Sequence, residues 1–532
     1  MEKFMTMEFL PELFVGSAGD IAAQILVYWG QFKMSVVVPF VFIFMYINLA
    51  MSIMMLIEKV YMAAVVSINK LIGGKPEKRY KCDPFEEDVE LGSSVYPMVV
   101  IQVPMFNELE VYQLSIGAAC RLSWPSDRIV IQVLDDSTDP VIKDLVLKEC
   151  QSWQSKGVNV RYQVRDNRKG YKAGALKEGL KHPYAKECEY VVIFDADFQP
   201  EPDFLTRTIP FLHHNPQLGL VQARWKFVNS NDCLMTRMQE MTLDYHFKVE
   251  QESGSTSWAF FGFNGTAGVW RMAALDEAGG WQDRTTVEDM DLAVRASLKG
   301  WKFLYVGALM VKNELPSVFK AYRFQQHRWS CGPANLFRKM FYEIMKNKRV
   351  TFWKKVYLLY SFFFVRKIVA HVVTFTLYCV VIPLTVLIPE VRIPRWGVVY
   401  IPTVITLLNA VGTPRSFYLV VNWVLFENVM SLHRTRATLI GLFETQRSNE
   451  WVVTGKVGDA SKAKTGTQQT QSRFKIGERI YKLELCLGIA LFGCACYDLA
   501  YGDIHYYVFL YLQSITFMTV GFGYVGIHVP NS

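Results

Sequence analysis

The stretch YVVIFDADF, residues 190–198, decides the fold class of this chain. Its apolar run is the pattern of a buried strand, and two carboxylates follow it at once. Three similar runs precede it, at residues 97–104, 128–136 and 159–165, and each is followed by an amphipathic helical pattern. Strands that alternate with helices in this way predict an open, mostly parallel α/β sheet.

The carboxylates at the end of this run are Asp195 and Asp197, one residue apart. On an extended strand, residues i and i+2 point to the same face, so the two like charges would repel unless a cation lies between them. Mg²⁺ is usually held by one or two carboxylates together with the phosphate oxygens of a substrate. The pair therefore predicts a divalent metal that binds a diphosphate, although a D-x-D pair alone is common by chance.

Two of the other predicted strands also end in acidic or amide groups, in PMFNE (104–108) and LDDSTD (134–139). Each of these groups alone could be a helix N-cap, since Asp and Asn cap helices routinely. Ligands of open α/β sheets bind beyond the carboxyl ends of the strands. Three such ends on neighbouring strands therefore favour a binding site over three separate caps.

A basic, glycine-containing segment, RDNRKGYKAGALKEG (165–179), includes Lys172. It could be the solvated start of a helix, but glycines and lysines ahead of a helix also suit close approach to phosphate. The segment matches neither the P-loop nor G-x-G-x-x-G, so the sequence does not support a P-loop kinase or a Rossmann dehydrogenase.

Two further segments carry candidate residues. In VEDMD (287–291) the carboxylates either form an acidic first turn of a helix or include a general base, Asp289, that deprotonates an acceptor hydroxyl. In SVFKAYRFQQHRWSCGPANLF (317–337) an interfacial helix is predicted, with Gln325, Arg328 and Trp329 as its functional part.

Long uncharged stretches predict a membrane protein, because a span needs about 20 predominantly apolar residues. They cover residues 34–57, 368–389, 396–414 with 416–426, and 504–532, and residues 483–500 form a weaker fifth candidate. The ten cysteines include no C-x-x-C pair, which argues against a zinc site or a disulfide framework. A transporter is disfavoured because the spans contain almost no ionisable residues.

In chain order, Asp136, Asp195, Asp197, Asp289 and the QQHRW residues resemble the motif set of processive family 2 glycosyltransferases of the cellulose synthase superfamily. The runs LDDSTDP, RWKFVNS, FFGFNGTAG and QQHRWSCGPANLF are most similar to the plant cellulose synthase-like A group. That group makes β-1,4-mannan and glucomannan, which are cell-wall hemicelluloses, from GDP-mannose, with GDP-glucose as a second donor. The resemblance implies an inverting enzyme with a GT-A domain embedded in a multi-pass helical membrane protein.

The resemblance also implies a role for each matched residue. Asp135 and Asp136 would contact the nucleotide in the catalytic centre, Lys172 would lie near the diphosphate, and Asp195 and Asp197 would hold Mn²⁺ or Mg²⁺. Asp289 would take the proton of the acceptor 4-hydroxyl, Gln325 and Arg328 would fix the acceptor and the diphosphate, and Trp329 would stack on the terminal sugar. WVVTGK (451–456) is similar to the gating loop F-x-V-T-x-K, with Trp451 in place of Phe, which implies diphosphate contacts for Thr454 and Lys456.

The chain is accordingly predicted to divide into six parts. They are an N-terminal segment (1–33), transmembrane helix 1 (34–58), a GT-A catalytic domain ending in interfacial helices (60–355), transmembrane helices 2–3 with an interfacial helix (359–443), a gating-like loop with a polar linker (444–482), and transmembrane helices 4–5 (483–532).

The expected partners are GDP-mannose, GDP-glucose, the growing β-1,4-mannan chain and membrane lipid. A homo-oligomer or an accessory protein stays open, and nucleic acid is not expected. Basic residues at 59–81 and 346–355 place the catalytic side in the cytosol by the positive-inside rule. The resemblance implies a Golgi membrane, for which a lumenal active site is the alternative. A related β-1,4-glucan synthase that uses UDP-glucose also stays open, because no motif distinguishes guanine from uracil.

Overall fold

The computed structural model describes residues 18–86, 90, 92–165, 167–444, 480–502 and 505–526. Thr454 and Lys456, the predicted gating-loop contacts, lie outside these residues. Within them, one seven-stranded sheet with flanking helices is joined to a group of long apolar helices.

The sheet has the strand order β3-β2-β1-β4-β6-β5-β7. The strands are β1 (Val99–Met105), β2 (Ile129–Asp135), β3 (Val160–Val164), β4 (Tyr190–Ile193), β5 (Leu218–Phe227), β6 (Gly268–Arg271) and β7 (Lys302–Asn313). Only β6 is antiparallel to its neighbours, so the sheet is mostly parallel, as the sequence predicts. The central strands are apolar on both faces because helices cover the sheet on both sides.

The helices are numbered in chain order. Those up to the end of the catalytic block are α1 (Ala18–Phe32), α2 (Val38–Leu71), α3 (Tyr112–Cys120), α4 (Pro140–Ser155), α5 (Tyr171–Gly179), α6 (Pro183–Lys186), α7 (Ile209–His214), α8 (Leu234–Tyr245), α9 (Glu252–Trp258), α10 (Met272–Glu277), α11 (Glu288–Lys299) and α12 (Phe319–Lys346). Those that follow are α13 (Phe352–Val356), α14 (Ala370–Phe375), α15 (Ile382–Leu387), α16 (Ile401–Ala410), α17 (Val420–Phe443), α18 (Lys482–Tyr501) and α19 (Tyr507–Gly521).

Shorter helical segments join several of these helices. The π-helical ones are Lys33–Val37, His246–Gln251, Tyr357–Val369, Thr376–Val381 and Trp396–Tyr400, and the 3₁₀ ones are Pro76–Arg79, Ser93–Val95, Pro202–Phe204 and Pro414–Leu419.

Two sequence-based expectations about the sheet were wrong in detail. The D-x-D pair does not lie on an extended strand, because β4 ends at Ile193 and the backbone N–H of Asp195 is donated to the Thr266 hydroxyl (2.9 Å) instead of to a neighbouring strand. A turn follows, in which Phe198 N donates to Asp195 O (2.9 Å). The sequence also predicts a loop over residues 260–271, but its last four residues form β6.

Three apolar helical stretches are long enough to cross a membrane: Ala23–Leu71, Phe352–Leu387 and Lys482–Tyr501. The shorter apolar helices Trp396–Ala410 and Tyr507–Gly521 accompany them. The chain is therefore a membrane protein by the length and composition of its helices. The first stretch has 49 residues, so it begins before and ends after the span predicted at 34–58.

Helix α12 connects the sheet to the membrane helices. It packs on α11 on one side and on α17 and the segment Tyr357–Val369 on the other. Polar contacts reinforce the packing on α17: Arg434 Nε donates to Gln326 Oε1 (2.8 Å), and His433 Nε2 lies 3.0 Å from Arg323 O. The residues of the QQHRW motif are thereby held between the two parts of the protein.

Candidate active site

The end of β2 holds two adjacent carboxylates in different environments. Asp135 is buried, and its carboxylate oxygens accept hydrogen bonds from within the protein, from Ser137 N (2.9 Å) and from the Tyr162 hydroxyl (2.7 Å). Asp136 accepts from Arg165 Nε (2.7 Å) and from a second guanidinium nitrogen of the same residue. Asp135 thus shapes the turn that presents Asp136, and the nucleotide contacts of both residues stay predictions.

Lys172 lies at the start of α5 and joins this sheet edge to the D-x-D turn. Its Nζ is 2.5 Å from Asp195 Oδ1 and donates to Gly265 O at 2.9 Å. Burial disfavours its charge, but Asp195, Glu288 and Asp289 together raise the pKa of Lys172. The ammonium is therefore charged and directed at the carboxylates of the site.

Two carboxylates of α11 complete this cluster. Burial and the charge of Asp289 raise the pKa of Glu288 to about 8. Burial also raises the pKa of Asp289 to about 6, against the charge of Lys172. Asp289 Oδ1 accepts from Met290 N at 2.7 Å, so the carboxylate is oriented by the first turn of its own helix. A pKa near the working pH suits a general base.

Gly265 is a site residue that the sequence patterns did not single out. Its φ is +81°, and a Cβ at this position would lie 2.8 Å from Asp289 Oδ2 and 3.4 Å from Lys172 Nζ. Only a glycine lets the loop pass this close to both groups. The NG pair of FFGFNGTAG is a turn signal, but its position beside Asp289 follows only from the three-dimensional fold.

Helix α12 brings the QQHRW residues to the same place. Burial lowers the pKa of Arg328, although the negative charges of Glu288, Asp195 and Asp289 raise it. Arg328 therefore lies close enough to these three carboxylates to interact with them. Gln325 and Trp329, one helical turn apart, line a cavity together with Asp289. The structure thus gathers Lys172, Asp195, Asp289 and the three QQHRW residues around one point.

The cavity has a volume of about 400 Å³ and continues from Asp289 among the membrane helices. Its walls include side chains of α2, the segment Tyr357–Val369, α16 and α17. Many of them are polar, for example Asn409 and Ser431, which is unusual for residues between apolar helices. The cavity is therefore suited to a polar ligand that extends from Asp289 towards the membrane.

The D-x-D turn fits a metal that shares its ligands with a substrate. Asp195 is about one third exposed, whereas Asp197 is buried, so the two carboxylates differ in access. No group of three or more His, Cys, Asp or Glu side chains suited to a metal occurs within the described parts of the chain. A divalent ion here would need oxygen ligands from a bound molecule, which is how Mg²⁺ is commonly held.

Comparisons with known proteins show the family of the chain. Residues 190–411 match the family described as Glycosyl transferase family group 2, and residues 100–276 match Glycosyl transferase family 2. Among solved structures, the mannosyltransferase PcManGT from Pyrobaculum calidifontis in complex with GDP-Man and Mn²⁺ is 16% identical, with a TM-score of 0.47 over 75% of this chain and 99% of that one. That likeness is too distant to carry its ligands over.

Curated relatives are much closer. The chain is 66% identical to Glucomannan 4-beta-mannosyltransferase 9 of Arabidopsis thaliana over 100% of both chains. It is 64% identical to Glucomannan 4-beta-mannosyltransferase 2 of the same plant, over 98% of both. It is 62% identical to Glucomannan 4-beta-mannosyltransferase 1 of Oryza sativa subsp. japonica, over 97% of this chain and 99% of that one. The resemblance found in the motifs is therefore confirmed: the chain belongs to the glucomannan 4-beta-mannosyltransferases, a membrane-embedded group within glycosyltransferase family 2 with a GT-A fold.

Proposed function

We propose that this chain elongates β-1,4-mannan or glucomannan by inverting transfer from GDP-mannose, with GDP-glucose as a second donor. The observation that carries the proposal is the position of Asp289, between the Lys172–Asp195 pair and a polar cavity that enters the membrane helices. A donor on one side and an acceptor chain on the other would meet at this carboxylate. Membership of the mannosyltransferase group favours GDP-mannose over the UDP-glucose alternative.

On the donor side, Asp195 and Asp197 would hold the metal, which supplies charge neutralisation for the GDP leaving group. Lys172 is paired with Asp195, the charge of Asp195 also acts on Arg328, and both cations would turn towards the diphosphate when it binds. Lys172 keeps its contact with the Gly265 carbonyl as a pivot. Asp136 follows β2 and its partner Arg165 follows the neighbouring strand β3, at the sheet edge where the nucleotide is expected.

On the acceptor side, Asp289 would accept the proton of the 4-hydroxyl while that oxygen attacks the anomeric carbon from the face opposite GDP. One displacement of this kind inverts the configuration. Gln325 and Trp329 line the cavity beside Asp289 and would hold the terminal sugar. Because the cavity continues beyond them, the extended chain can stay bound between additions, which is the property that processive synthesis requires.

The function is tested with membranes that contain the chain, supplied with Mn²⁺ or Mg²⁺ and with labelled GDP-mannose, GDP-glucose or UDP-glucose in parallel. We expect insoluble product from GDP-mannose that endo-β-mannanase digests and that disappears when the metal is chelated. Membranes without the chain serve as the control. Product from UDP-glucose alone would overturn the mannan assignment and favour the glucan synthase alternative.

The acidity of Asp289 predicts how turnover depends on pH. The charged carboxylate is the active form, and burial raises its pKa to about 6. Turnover is therefore expected to be retained above that pKa and to fall about tenfold for each pH unit below it. The measurement is kcat/KM for GDP-mannose across the acidic and neutral range, with GDP binding followed in parallel. A rate that does not change through this range would contradict a base with a raised pKa.

The chain is further proposed to reside in the Golgi membrane, with residues 60–355 as the catalytic block on the cytosolic side. The basic residues that flank the first two apolar helical stretches support this side. Protection of the catalytic block from added protease in sealed Golgi vesicles would instead favour a lumenal active site.

A further inference from the structure

One part of the cavity wall carries charged and amide side chains that the reaction at Asp289 does not use. We name it the Glu250 wall, and it consists of Lys59, His246, Glu250, Asn264 and Lys367. These residues come from α2, the segment His246–Gln251, the loop before β6 and the segment Tyr357–Val369. The same cavity is lined by Asp289, so the Glu250 wall belongs to the space that begins at the reaction centre.

Glu250 is the centre of this wall and is charged. Its Oε2 is 2.9 Å from His246 Nδ1, and its Oε1 is 3.6 Å from Lys59 Nζ. Burial alone would raise the pKa of Glu250, but the hydrogen bond from His246 and the charges of Lys59 and Lys367 hold it well below its usual range. His246 Nε2 in turn lies 3.2 Å from Asn264 Oδ1. The wall is thus a connected set of polar groups.

Two donors of the wall make no hydrogen bond to any described part of the chain. Within the described residues, the ammonium of Lys367 acts on Glu250 through its charge and lies 5.9 Å from the centre of the Phe362 ring, but no hydrogen bond or ion pair engages it. The side-chain nitrogen of Asn264 is buried and also lacks a hydrogen-bond partner. A buried donor left in this state costs free energy unless a ligand or water satisfies it. Both residues line the cavity, so a ligand that fills it is a candidate acceptor, directly for Lys367 and after a small side-chain movement for Asn264.

The remaining charges indicate what kind of ligand this is. Arg366 is paired with Glu58 (2.6 Å). Arg434 is likewise paired with Glu427, since its Nη2 donates to Glu427 Oε1 at 3.2 Å. The cations and carboxylates of the cavity thus largely neutralise one another. A strongly anionic ligand would find little uncompensated positive charge, whereas an uncharged ligand with many hydroxyls could accept from Lys367 and Asn264 and donate to Glu250.

We propose that the Glu250 wall is an acceptor subsite that binds the hydroxyls of an uncharged sugar residue beyond the one at Asp289. Lys367 is its main donor, and it fixes how far the acceptor chain advances along the cavity. The subsite rests on the proposed function, since it assumes that a glycan acceptor occupies the cavity. It assigns to the membrane helices a share in acceptor binding that the motif residues do not account for.

The test is the Lys367→Met variant of the full-length protein in lipid nanodiscs, assayed with GDP-mannose, Mn²⁺ and a soluble β-1,4-mannooligosaccharide. Methionine keeps an unbranched side chain, one heavy atom shorter, and removes the donors. We expect the KM for the oligosaccharide to rise about tenfold, as for loss of a charged hydrogen-bond donor, with the KM for GDP-mannose within about twofold. Lys367→Arg, which keeps a cationic donor, is expected to recover most of the acceptor affinity.

The control is Lys355→Met, because Lys355 Nζ contacts Met345 O (2.9 Å) and lies away from the cavity. Binding of GDP to each variant reports folding independently of the acceptor. An unchanged acceptor KM in Lys367→Met, or a rise confined to the KM for GDP-mannose, would overturn the subsite. Failure of the unmodified protein to use GDP-mannose at all would instead refute the proposed function, so the two failures are distinguishable.

Discussion

The Asp289→Asn variant is expected to retain GDP-mannose binding and to lose about 10³-fold in kcat, the range that a general base contributes. The amide has nearly the same shape as the carboxylate but cannot accept the proton of the acceptor hydroxyl. The hydrogen bond from Met290 N can still be made to the amide oxygen, so the start of α11 keeps its geometry. The measurements are mannan synthesis under saturating substrates and calorimetric binding of GDP with metal.

A matched control is Asp276→Asn, which makes the same chemical change on the exposed face of α10. It is expected to leave synthesis and binding unchanged. Mannan synthesis by Asp289→Asn at a rate close to that of the unmodified protein would remove Asp289 from the role of base. Attention would then pass to Glu288, whose burial and proximity to Asp289 raise its pKa to about 8.

The Gly265→Ala variant is expected to lower kcat by at least about 100-fold, although it adds a single methyl group. That methyl would lie 2.8 Å from Asp289 Oδ2 and 3.4 Å from Lys172 Nζ, on a backbone with φ +81°. Either the loop or the two catalytic groups must move, and a displacement of about 1 Å in an active site can cost about 100-fold. Synthesis and GDP binding should both decline, because Lys172 loses its fixed contact with the Gly265 carbonyl.

The control for backbone strain is Gly157→Ala. Gly157 has φ +84° and no atom within 4 Å of the added methyl, so it is strained to the same degree in open space. Its substitution should lower stability without altering kcat. If Gly265→Ala and Gly157→Ala were equally active, the clash with Asp289 would be of no consequence for catalysis.

Sequence patterns predicted the first half of the sheet better than the second. The strands β1 to β4 are short apolar runs bounded by polar groups, and their positions were anticipated to within a few residues. The strands β5 and β7 contain several polar and basic residues, such as Arg224 and Lys312, so they lack a clear apolar or alternating pattern. Their pairing with each other joins residues too far apart in the chain for a local pattern to reveal.

The candidate site shows the same division. Asp289 and the D-x-D residues stand out in the sequence because clustered carboxylates repel one another unless a cation or a substrate compensates their charge. Gly265 and Lys367 do not stand out, since one is an ordinary turn residue and the other a lysine in an apolar helix. Their importance arises from contacts across long sequence separations, such as the hydrogen bond between Lys172 and the Gly265 carbonyl. Folding, not local composition, brings these residues to the site.

The double packing of α12 has a practical consequence. One helix bears Gln325, Arg328 and Trp329, rests against the sheet through α11 and is fastened to α17 by Arg434 and His433. The membrane helices therefore hold the active-site residues of α12 in place and do more than attach the catalytic block to the membrane. Cutting the chain after residue 355 to obtain a soluble enzyme would uncover the apolar side of α12 and remove nearly half of the residues that line the cavity. The catalytic block and the membrane helices form the active-site cavity together. Variants designed to change hemicellulose composition must therefore keep both parts.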